Sequence, residues 1–277
     1  MRALAEFVMK DRKRAIIAVL LLGLLPMMNL LSSVVIGLTL LRKGSNEALA
    51  ILVWALLPLG AYAYIGDVIP LVLVLGVTLL AGVLRQTQSW ELSLLGAALV
   101  GLTIEAYLVL RPELLDLLFQ QLDVYMATNG IEGLPVAQLR ATLTSYLGAT
   151  YGMLAALLLI LARWLQAALY NPGGFQQEFH ALRVGSKVAL LLVAWTFASS
   201  FGVLPSSWVV YSTLPLLFSG AALVHGVVAI RQMPGSVLAV FYAVILLPIA
   251  MQGVMLLALM DSWYDFRARL KASSKQD

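Results

Sequence analysis

The chain has 277 residues, of which 61% are hydrophobic and only 12% are charged, with a formal net charge of +4. A soluble domain is typically about 45–50% apolar and about 25% charged, so this composition excludes a soluble globular domain and predicts a polytopic membrane protein. The absence of cysteine excludes disulfides, thiolate metal ligands and a cysteine nucleophile, and two histidines are too few for a histidine-rich metal site.

The predicted elements are membrane helices. A helix needs about 20 apolar residues to cross about 30 Å of hydrocarbon. About eight charge-poor runs approach or exceed that length: residues 15–41, 47–65, 68–84, 92–110, 144–170, 187–204, 208–230 and 236–260. Barrel strands would alternate apolar and polar residues, and residues 71–80 and 154–161 do not. We therefore expect an all-α fold, a polytopic α-helical membrane bundle in which residues 1–277 form a single integral membrane domain.

The start of the chain predicts a cytoplasmic N-terminus. Residues 1–14 are basic and lead directly into an apolar run without a cleavage site, which favours an uncleaved first membrane segment. Pro26 and Asn29 lie inside that run, where proline removes a backbone hydrogen bond. Residues 15–41 therefore either cross once or form a broken hairpin, and we favour the hairpin.

The distribution of basic residues is the reason for favouring the hairpin. With one crossing by every run, Arg42, Lys43 and Arg85 would lie outside, against the positive-inside rule. A hairpin returns them to the cytoplasm and places the acidic residues 111–143 outside. The side of the C-terminus stays open, since only a second break near Pro248 would bring it back to the cytoplasm.

Small residues recur at helical spacing on several predicted spans. They are Gly96, Gly101, Gly148, Gly152, Gly220 and Gly226. Lipid offers no hydrophobic drive for helix association, so small residues let helix backbones approach closely. We expect tight helix packing at these positions.

Residues 111–143 predict an amphipathic extramembrane loop made of helix, turn and helix. Pro112 begins the first helix, Asn129 and Gly130 break it, and Pro135 opens the second. The expected apolar stripe of the first helix consists of Leu114, Leu115, Leu118 and Leu122. We expect this loop to lie as a lid on the outer membrane face.

Residues 171–185, with the sequence NPGGFQQEFHALRVG, predict an interfacial amphipathic helix after a strong stop signal. Phe175, Phe179 and Leu182 would share its apolar face. The segment is either an anchor between two spans or a coupling helix that meets a partner, for which Phe175, Phe179, Glu178 and Arg183 are the candidate contacts.

The C-terminal segment DSWYDFRARL, residues 261–270, combines aromatic and basic residues in the manner of an interfacial anchor. Asp261, Trp263 and Arg267 are its candidate partner contacts. Asp261 and Asp265 stand four apart on a helix, and we expect capping or pairing with an arginine there rather than a metal.

Four short motifs resemble the YybS-like family of uncharacterised bacterial inner-membrane proteins. They are NPGGFQQEFHALRVG, the opening MRALAEFVMKDRKRA, LLRKG after the first run, and DSWYDFRARL. That family is distantly similar to the substrate-binding S-components of energy-coupling-factor transporters and to the rod-shape factor MreD. The resemblance implies a membrane-embedded role in solute uptake or in cell-envelope assembly.

Polar groups inside predicted spans are the candidates for a substrate cavity. A charge in hydrocarbon costs about 2.5–3.5 kcal/mol on insertion scales, so Glu105 is the foremost of them. The full set is Glu105, Tyr107, Trp90, Tyr151 and His225. For Glu105 a near-interface, hydrated carboxylate and a cavity-lining group both stay open, and His225 fits an interhelical hydrogen bond at least as well as a ligand.

We expect no enzyme, because the chain has no HExxH, no GxSxG and no serine–histidine–aspartate arrangement. No cofactor, metal or nucleic acid is expected. The function favoured by the sequence is a solute-binding or transport-related membrane module with a small-molecule solute. The alternative is a membrane scaffold or assembly factor for a cell-envelope complex, with a membrane or cytoplasmic protein partner. The lipid bilayer is the partner in both cases.

Overall fold

The computed structural model describes residues 2–129 and 136–273, and every regular element in these ranges is helical. A short 3-10 turn at Ser206–Trp208 precedes the eleventh α-helix. The α-helices are α1 (Arg2–Lys10), α2 (Arg12–Leu24), α3 (Leu30–Lys43), α4 (Ser45–Tyr64), α5 (Ile69–Thr87), α6 (Trp90–Leu110), α7 (Glu113–Thr128), α8 (Val136–Tyr170), α9 (Gly174–Ala181), α10 (Ser186–Ser200), α11 (Val209–Ile230), α12 (Ser236–Val244), α13 (Pro248–Tyr264) and α14 (Phe266–Ser273). The predicted all-α class is confirmed.

Five stretches within the described ranges are long and apolar enough to cross a membrane: Ser45–Tyr64, Ile69–Thr87, Trp90–Leu110, Gln138–Tyr170 and Ser206–Ile230. Two helix pairs pass the same test only together, and both are bent at a short break: α9 with α10 by 58°, and α12 with α13 by 113°. The protein is therefore built as a helical integral membrane protein with five to seven spans. The predicted count of about eight is not confirmed, because residues 15–41 form two short helices and the helices within residues 187–204 and 236–260 are long enough only as parts of bent pairs.

Local sequence sets the helix boundaries. Asp11 caps α2, where its Oδ1 accepts a hydrogen bond from Arg14 N at 2.8 Å. Ser89 caps α6 in the same way through Leu92 N at 3.2 Å. Pro248 stands at the start of α13, where its missing N–H costs nothing.

The first apolar run forms two helices joined by a turn that contains Pro26 and Asn29. Ser32 Oγ, early in α3, lies 3.4 Å from Val19 O of α2. At 13 and 14 residues, α2 and α3 are each only about 20 Å long, which is short of the hydrocarbon thickness.

Contacts with α4 fix the direction of the two arms. Arg12 Nε, at the start of α2, donates at 2.9 Å to Glu47 Oε2, which lies in the first turn of α4. Tyr62 Oη, near the end of α4, donates to Leu24 O at 3.2 Å. Helix α2 therefore runs parallel to α4 and α3 runs back. Residues 15–41 form the favoured hairpin, and a continuous single crossing is not observed.

The bundle has two chemically distinct ends. We call one the basic end, defined by Arg12, Arg42, Arg85, Arg163 and Arg267. Arg85, at the end of α5, joins it to α3 by donating to Leu40 O at 2.6 Å. The opposite end carries α7, and Tyr107 Oη of α6 donates there to Gly66 O. Among the described lysines and arginines, Arg111 and Arg140 are the two at the opposite end.

Helix α12 begins at the basic end, and α13 ends there. Helix α11 ends there at Ile230, and five residues separate it from α12. After the 113° bend, α13 runs back beside α11, where a Cβ on Gly220 would lie 2.8 Å from Val254 O. Arg267 in α14 then donates to His180 O at 2.8 Å. A break is present just before Pro248, which settles the alternative that the sequence left open, and the described C-terminal helix lies at the same end as α1.

The glycines expected at close helix contacts lie there. A Cβ on Gly101 would stand 2.6 Å from Gly148 O, and one on Gly152 would stand 2.7 Å from Ala97 O. Helices α6 and α8 therefore touch backbone to backbone. Around them the apolar core of α3, α5, α6 and α8 is closed to solvent, as at Ile36 and Leu73, both 0% exposed.

In the second half of the predicted lid, residues 111–143, the structure differs from the prediction. Residues 130–135, including Gly130 and Pro135, lie outside the described residues. From Val136 onward the chain is one 35-residue helix, α8, that continues into the span. It is about 50 Å long, at about 1.5 Å per residue. No proline or glycine lies between residues 136 and 147, so the expected separate second helix is the first part of a long span.

Candidate binding cavity at the basic end

The five residues predicted to line a substrate cavity are divided between the two ends of the bundle. Glu105 and Tyr107 lie near the opposite end, and Trp90 and His225 lie beside α9 at the basic end. Tyr151 lies between them on α8, half-buried against the core. A single solute site would therefore not use all five.

Glu105 belongs to a buried polar cluster. Its Oε1 accepts hydrogen bonds from Ser145 Oγ at 2.5 Å and from Trp208 Nε1 at 3.0 Å. Ser145 Oγ also lies 2.8 Å from Ser207 Oγ. Glu105 is 8% exposed, and its Oε2 and the hydroxyl of Tyr211 have no hydrogen-bond partner among the described residues. The cluster ties α6 and α8 to the start of α11.

A row of aromatic rings holds α9 against the bundle. The ring centroids of Trp90 and Phe175 are 6.1 Å apart, those of Phe175 and Phe179 5.8 Å, and those of Phe179 and His225 5.3 Å. His225 Nε2 lies 2.8 Å from Tyr242 Oη of α12. The apolar face of α9 thus packs on the protein's own core, and His225 makes the interhelical contact that was one of its two expected roles.

The remaining partner candidates divide into paired and exposed groups. Arg267 and Asp261 pair with each other, and Arg267 also donates to His180 O and Leu182 O at 2.8 Å each. The charged residues of the α9 segment are paired as well: Glu178 with Arg163, and Arg183 with Asp265 at 2.7 Å. Trp263 is 53% exposed, as an interfacial anchor would be.

A cavity of about 690 Å³ opens at the basic end between α5, α6, α8 and the α9 segment. Its volume is within the range of about 300–1,000 Å³ typical of small-molecule sites. The wall combines apolar residues such as Leu41 and Leu84 with a larger set of polar or aromatic ones: Arg85, Gln88, Ser89, Trp90, Glu91, Arg163, Gln166, Glu178 and Arg183. We call it the basic-end cavity.

The charges of this wall are held by specific contacts. Arg163, with its side chain only 14% exposed, donates to both carboxylate oxygens of Glu178 and to Gln166 Oε1 at 2.5 Å. Glu91 accepts from the backbone N–H of Gly185, the N-cap of α10. Arg85 differs from these groups, because its Nη1 donates to the backbone carbonyls at the end of α3.

Two smaller cavities flank α9 at the same end. One, of about 570 Å³, lies beneath Gln177, His180, Arg267 and Lys271. The other, of about 540 Å³, lies between α1, the end of α8 and α9, and includes Arg2. The basic end is therefore a polar, indented surface on both sides of α9.

At the opposite end, α7 is held by Arg140 of α8. Its Nη2 lies 2.8 Å from Asp116 Oδ1, and its guanidinium stacks 4.6 Å from the centroid of Phe119. Phe119 is 3% exposed, whereas Leu114 and Leu118 of the expected stripe point outward. The buried face of α7 is therefore centred on Phe119 and not on the expected leucine stripe.

The connection before α7 is a salt bridge at its first turn. Arg111, the residue that follows α6, donates to the Glu113 carboxylate and lowers the pKa of that carboxyl through this hydrogen bond. Glu113 is also in the first turn of α7, where a negative charge suits the helix dipole. The acidic residues of this end therefore have structural roles of their own.

Trp90, Glu178 and Arg183 of the basic-end cavity were candidates from the sequence, whereas Arg85, Gln88 and Arg163 were not. Arg163 lies inside the predicted span 144–170, and a charged residue in an apolar run is the signal that would have found it. Arg85 and Gln88 lie just after a predicted span and read as ordinary flanking residues. They meet Arg163 only in the folded protein, because they lie at the end of α5 and Arg163 lies on α8. Glu91 and Glu178 reach the same cavity from α6 and α9.

No protein-family model, no curated protein and no solved structure matches the chain.

Proposed function

We propose that the protein is a solute-binding, transport-related module of a bacterial inner membrane that binds its solute in the basic-end cavity. The observation that carries the proposal is the cavity itself: about 690 Å³ lined by three arginines, two carboxylates and two glutamines. Polar groups of this kind at the rim of a membrane bundle need a partner more polar than lipid. A hydrated solute is such a partner.

The orientation in the proposal follows from the charge asymmetry of the two ends. Lysine and arginine concentrate on the cytoplasmic side of inner-membrane proteins. The basic end, with α1 and α14, would therefore face the cytoplasm, and α7 would face outward. Similarity of the four sequence motifs to the YybS-like family belongs to the same proposal.

The scaffold alternative has less support, because its foremost contacts are engaged inside the chain. Phe175 and Phe179 pack against the apolar core, and Glu178 pairs with Arg163. Replacing the two phenylalanines would loosen α9 itself.

The proposal is tested by filling the cavity. Ala181 is an exposed wall residue, so Ala181→Trp places an indole in the space, and Ala61→Trp on the exposed face of α4 is the matched control. We expect native mass spectrometry of the purified wild type and of the control to show a bound small molecule. Ala181→Trp should lose that molecule while keeping the thermal midpoint of the wild type. A wild type without a bound molecule, or equal occupancy in the two variants, would contradict the proposal.

A further inference from the structure

We infer that Glu105 is a proton-binding site, whose carboxyl group exchanges a proton with the α7 end of the bundle through the hydroxyls of Ser145 and Ser207. The inference goes beyond the proposed function and is independent of it, because the basic-end cavity has no residue in common with this site. Three observations support it: a buried carboxyl group without a counter-charge, an unpartnered hydroxyl beside it, and a chain of hydroxyls that reaches an exposed turn.

The carboxyl group of Glu105 is buried among neutral groups. The residue is 8% exposed, and the donors at its Oε1 are the hydroxyl of Ser145 and the indole N–H of Trp208. A buried carboxylate without a cation is costly, and a bound proton removes that cost by neutralising the charge. The two donors suit both forms, because the carbonyl oxygen of a protonated acid also accepts hydrogen bonds.

Of the titratable and charged groups described around Glu105, Tyr211 is the one beside its carboxyl group. The two arginines at this end are paired, Arg111 with Glu113 and Arg140 with Asp116. The other titratable groups on the packed elements at this end are exposed or engaged elsewhere: Asp67 accepts from Ile69 N, Tyr107 donates to Gly66 O, Tyr151 packs against the apolar core and Tyr146 is 56% exposed. A proton is therefore the neutralising partner that the surroundings leave for Glu105.

Tyr211 can bond to the carboxyl group in both of its forms. Tyr211 is 1% exposed, and its hydroxyl and Glu105 Oε2 both lack a hydrogen-bond partner among the described residues. The two side chains meet at Gly148, where both border the position of an added Cβ. A tyrosine hydroxyl donates to an ionised carboxylate and accepts from a protonated one. The same pocket therefore accommodates Glu105 with and without a proton.

Ser145 and Ser207 connect the carboxyl group to the surface. Ser145 Oγ, in a residue that is 0% exposed, lies 2.5 Å from Glu105 Oε1 and 2.8 Å from Ser207 Oγ. Ser207 is half-buried in the 3-10 turn, next to the exposed Ser206. When a proton from water binds Ser207 Oγ, Ser207 passes its own hydrogen to Ser145, and Ser145 passes its hydrogen to the carboxylate. Each hydroxyl gives up one hydrogen and receives one, so the net change is one proton added to Glu105.

Infrared difference spectroscopy of the full-length protein in liposomes tests the binding of the proton. Glutamate labelled with ¹³C at the side-chain carboxyl separates the glutamates from the aspartates, and a protonated acid has a C=O stretch that a carboxylate lacks. We expect a buried-acid band that grows as the pH is lowered and is absent in Glu105→Gln. Glu113→Gln, which removes an exposed carboxylate at the same end, is the control and should keep the band. A band that is missing or constant at every pH, or that persists in Glu105→Gln, would overturn the inference.

The rate of proton uptake tests the route. Trp208 Nε1 lies 3.0 Å from Glu105 Oε1, so the emission of Trp208 should follow the charge of the carboxyl group after a rapid pH change. Ser207→Ala should slow this response by about tenfold or more while keeping the infrared titration, and Ser206→Ala, at the exposed neighbour, should match the wild type. Equal rates in the two serine variants would overturn the inference. So would an emission change that follows sodium at constant pH, because the site would then bind a metal cation.

Discussion

Arg267 and Asp261 form a salt bridge in which Nη2 and Oδ2 are 2.6 Å apart and the side chains are 7% and 0% exposed. Asp261 also accepts a hydrogen bond from Phe266 N at 2.8 Å, which turns the chain from α13 into α14. Arg267 donates at the same time to His180 O and Leu182 O. One buried pair thus joins the end of α13 to the α9 segment that borders the basic-end cavity.

Removing the arginine of this pair should destabilise the protein strongly. Arg267→Ala leaves Asp261 buried without its counter-charge, which typically costs about 3–5 kcal/mol. Arg269→Ala, two residues further along an exposed part of α14, is the control and should change stability little. Thermal unfolding in detergent measures the difference, and limited proteolysis should cut the α9 segment faster in Arg267→Ala. Equal thermal midpoints for the two variants would show that this salt bridge does not hold the end of α13 to the α9 segment.

The orientation of the bundle can be read with cysteine labelling, because the natural chain has no cysteine. Lys43→Cys at the end of α3 and Arg269→Cys in α14 should react with a membrane-impermeant maleimide only from the cytoplasmic side. Asn129→Cys after α7 should react only from the other side. Labelling of Arg269→Cys from the same side of the membrane as Asn129→Cys would contradict the return of α13 to the basic end.

The contact of α6 with α8 predicts different effects for two glycine-to-alanine changes. In Gly148→Ala the new methyl group would lie 2.8 Å from Gly101 O, and Tyr211 Oη occupies the same space. Overpacking of this kind costs about 1–3 kcal/mol. Around Gly60 nothing lies within 4 Å of an added Cβ. Gly60→Ala should therefore match the wild type or gain up to about 1 kcal/mol from helix propensity. The thermal midpoints of the two variants test the ranking, and a tolerated Gly148→Ala would mean that the helices can separate at low cost.

Patterns along the chain predicted most of the fold but little of the cavity. Pro26 marked the break in the first apolar run, and Pro248 marked the place where a second break was left open. Proline alone does not decide the matter, because Pro58 and Pro215 lie inside the unbroken helices α4 and α11. Gly101 and Gly148 marked the closest helix pair for a similarly local reason. The cavity instead depends on pairs such as Arg163 with Glu178, whose partners come from separate helices and leave no periodic signal.

Glu105 shows the same limit on a single residue. Its place inside a span marked it as unusual, and that much is local information. Its partners, Ser145 and Trp208, stand 40 and 103 residues away in the chain. Without the fold, a cavity-lining carboxylate and one that joins helices could not be told apart.

Two substitutions of Glu105 should separate its hydrogen bonding from its charge. Glu105→Gln keeps an oxygen that accepts from Ser145 Oγ and Trp208 Nε1. It also replaces the unpartnered Oε2 with an amide donor beside Tyr211, whose hydroxyl has no partner among the described residues and borders Gly148 together with Glu105. We expect Glu105→Gln to be at least as stable as the wild type.

Glu105→Leu has a similar volume but leaves the indole N–H of Trp208 without its acceptor and Ser145 Oγ with Ser207 Oγ alone, at a cost of about 1–3 kcal/mol for the unsatisfied donor. It should therefore lower the thermal midpoint and change the emission of Trp208, whose indole N–H loses its acceptor. Trp208→Phe in the same background identifies which part of the emission belongs to that ring. If Glu105→Gln proved as unstable as Glu105→Leu, the negative charge itself would be required, and the cluster would need a cationic partner that the described residues do not supply.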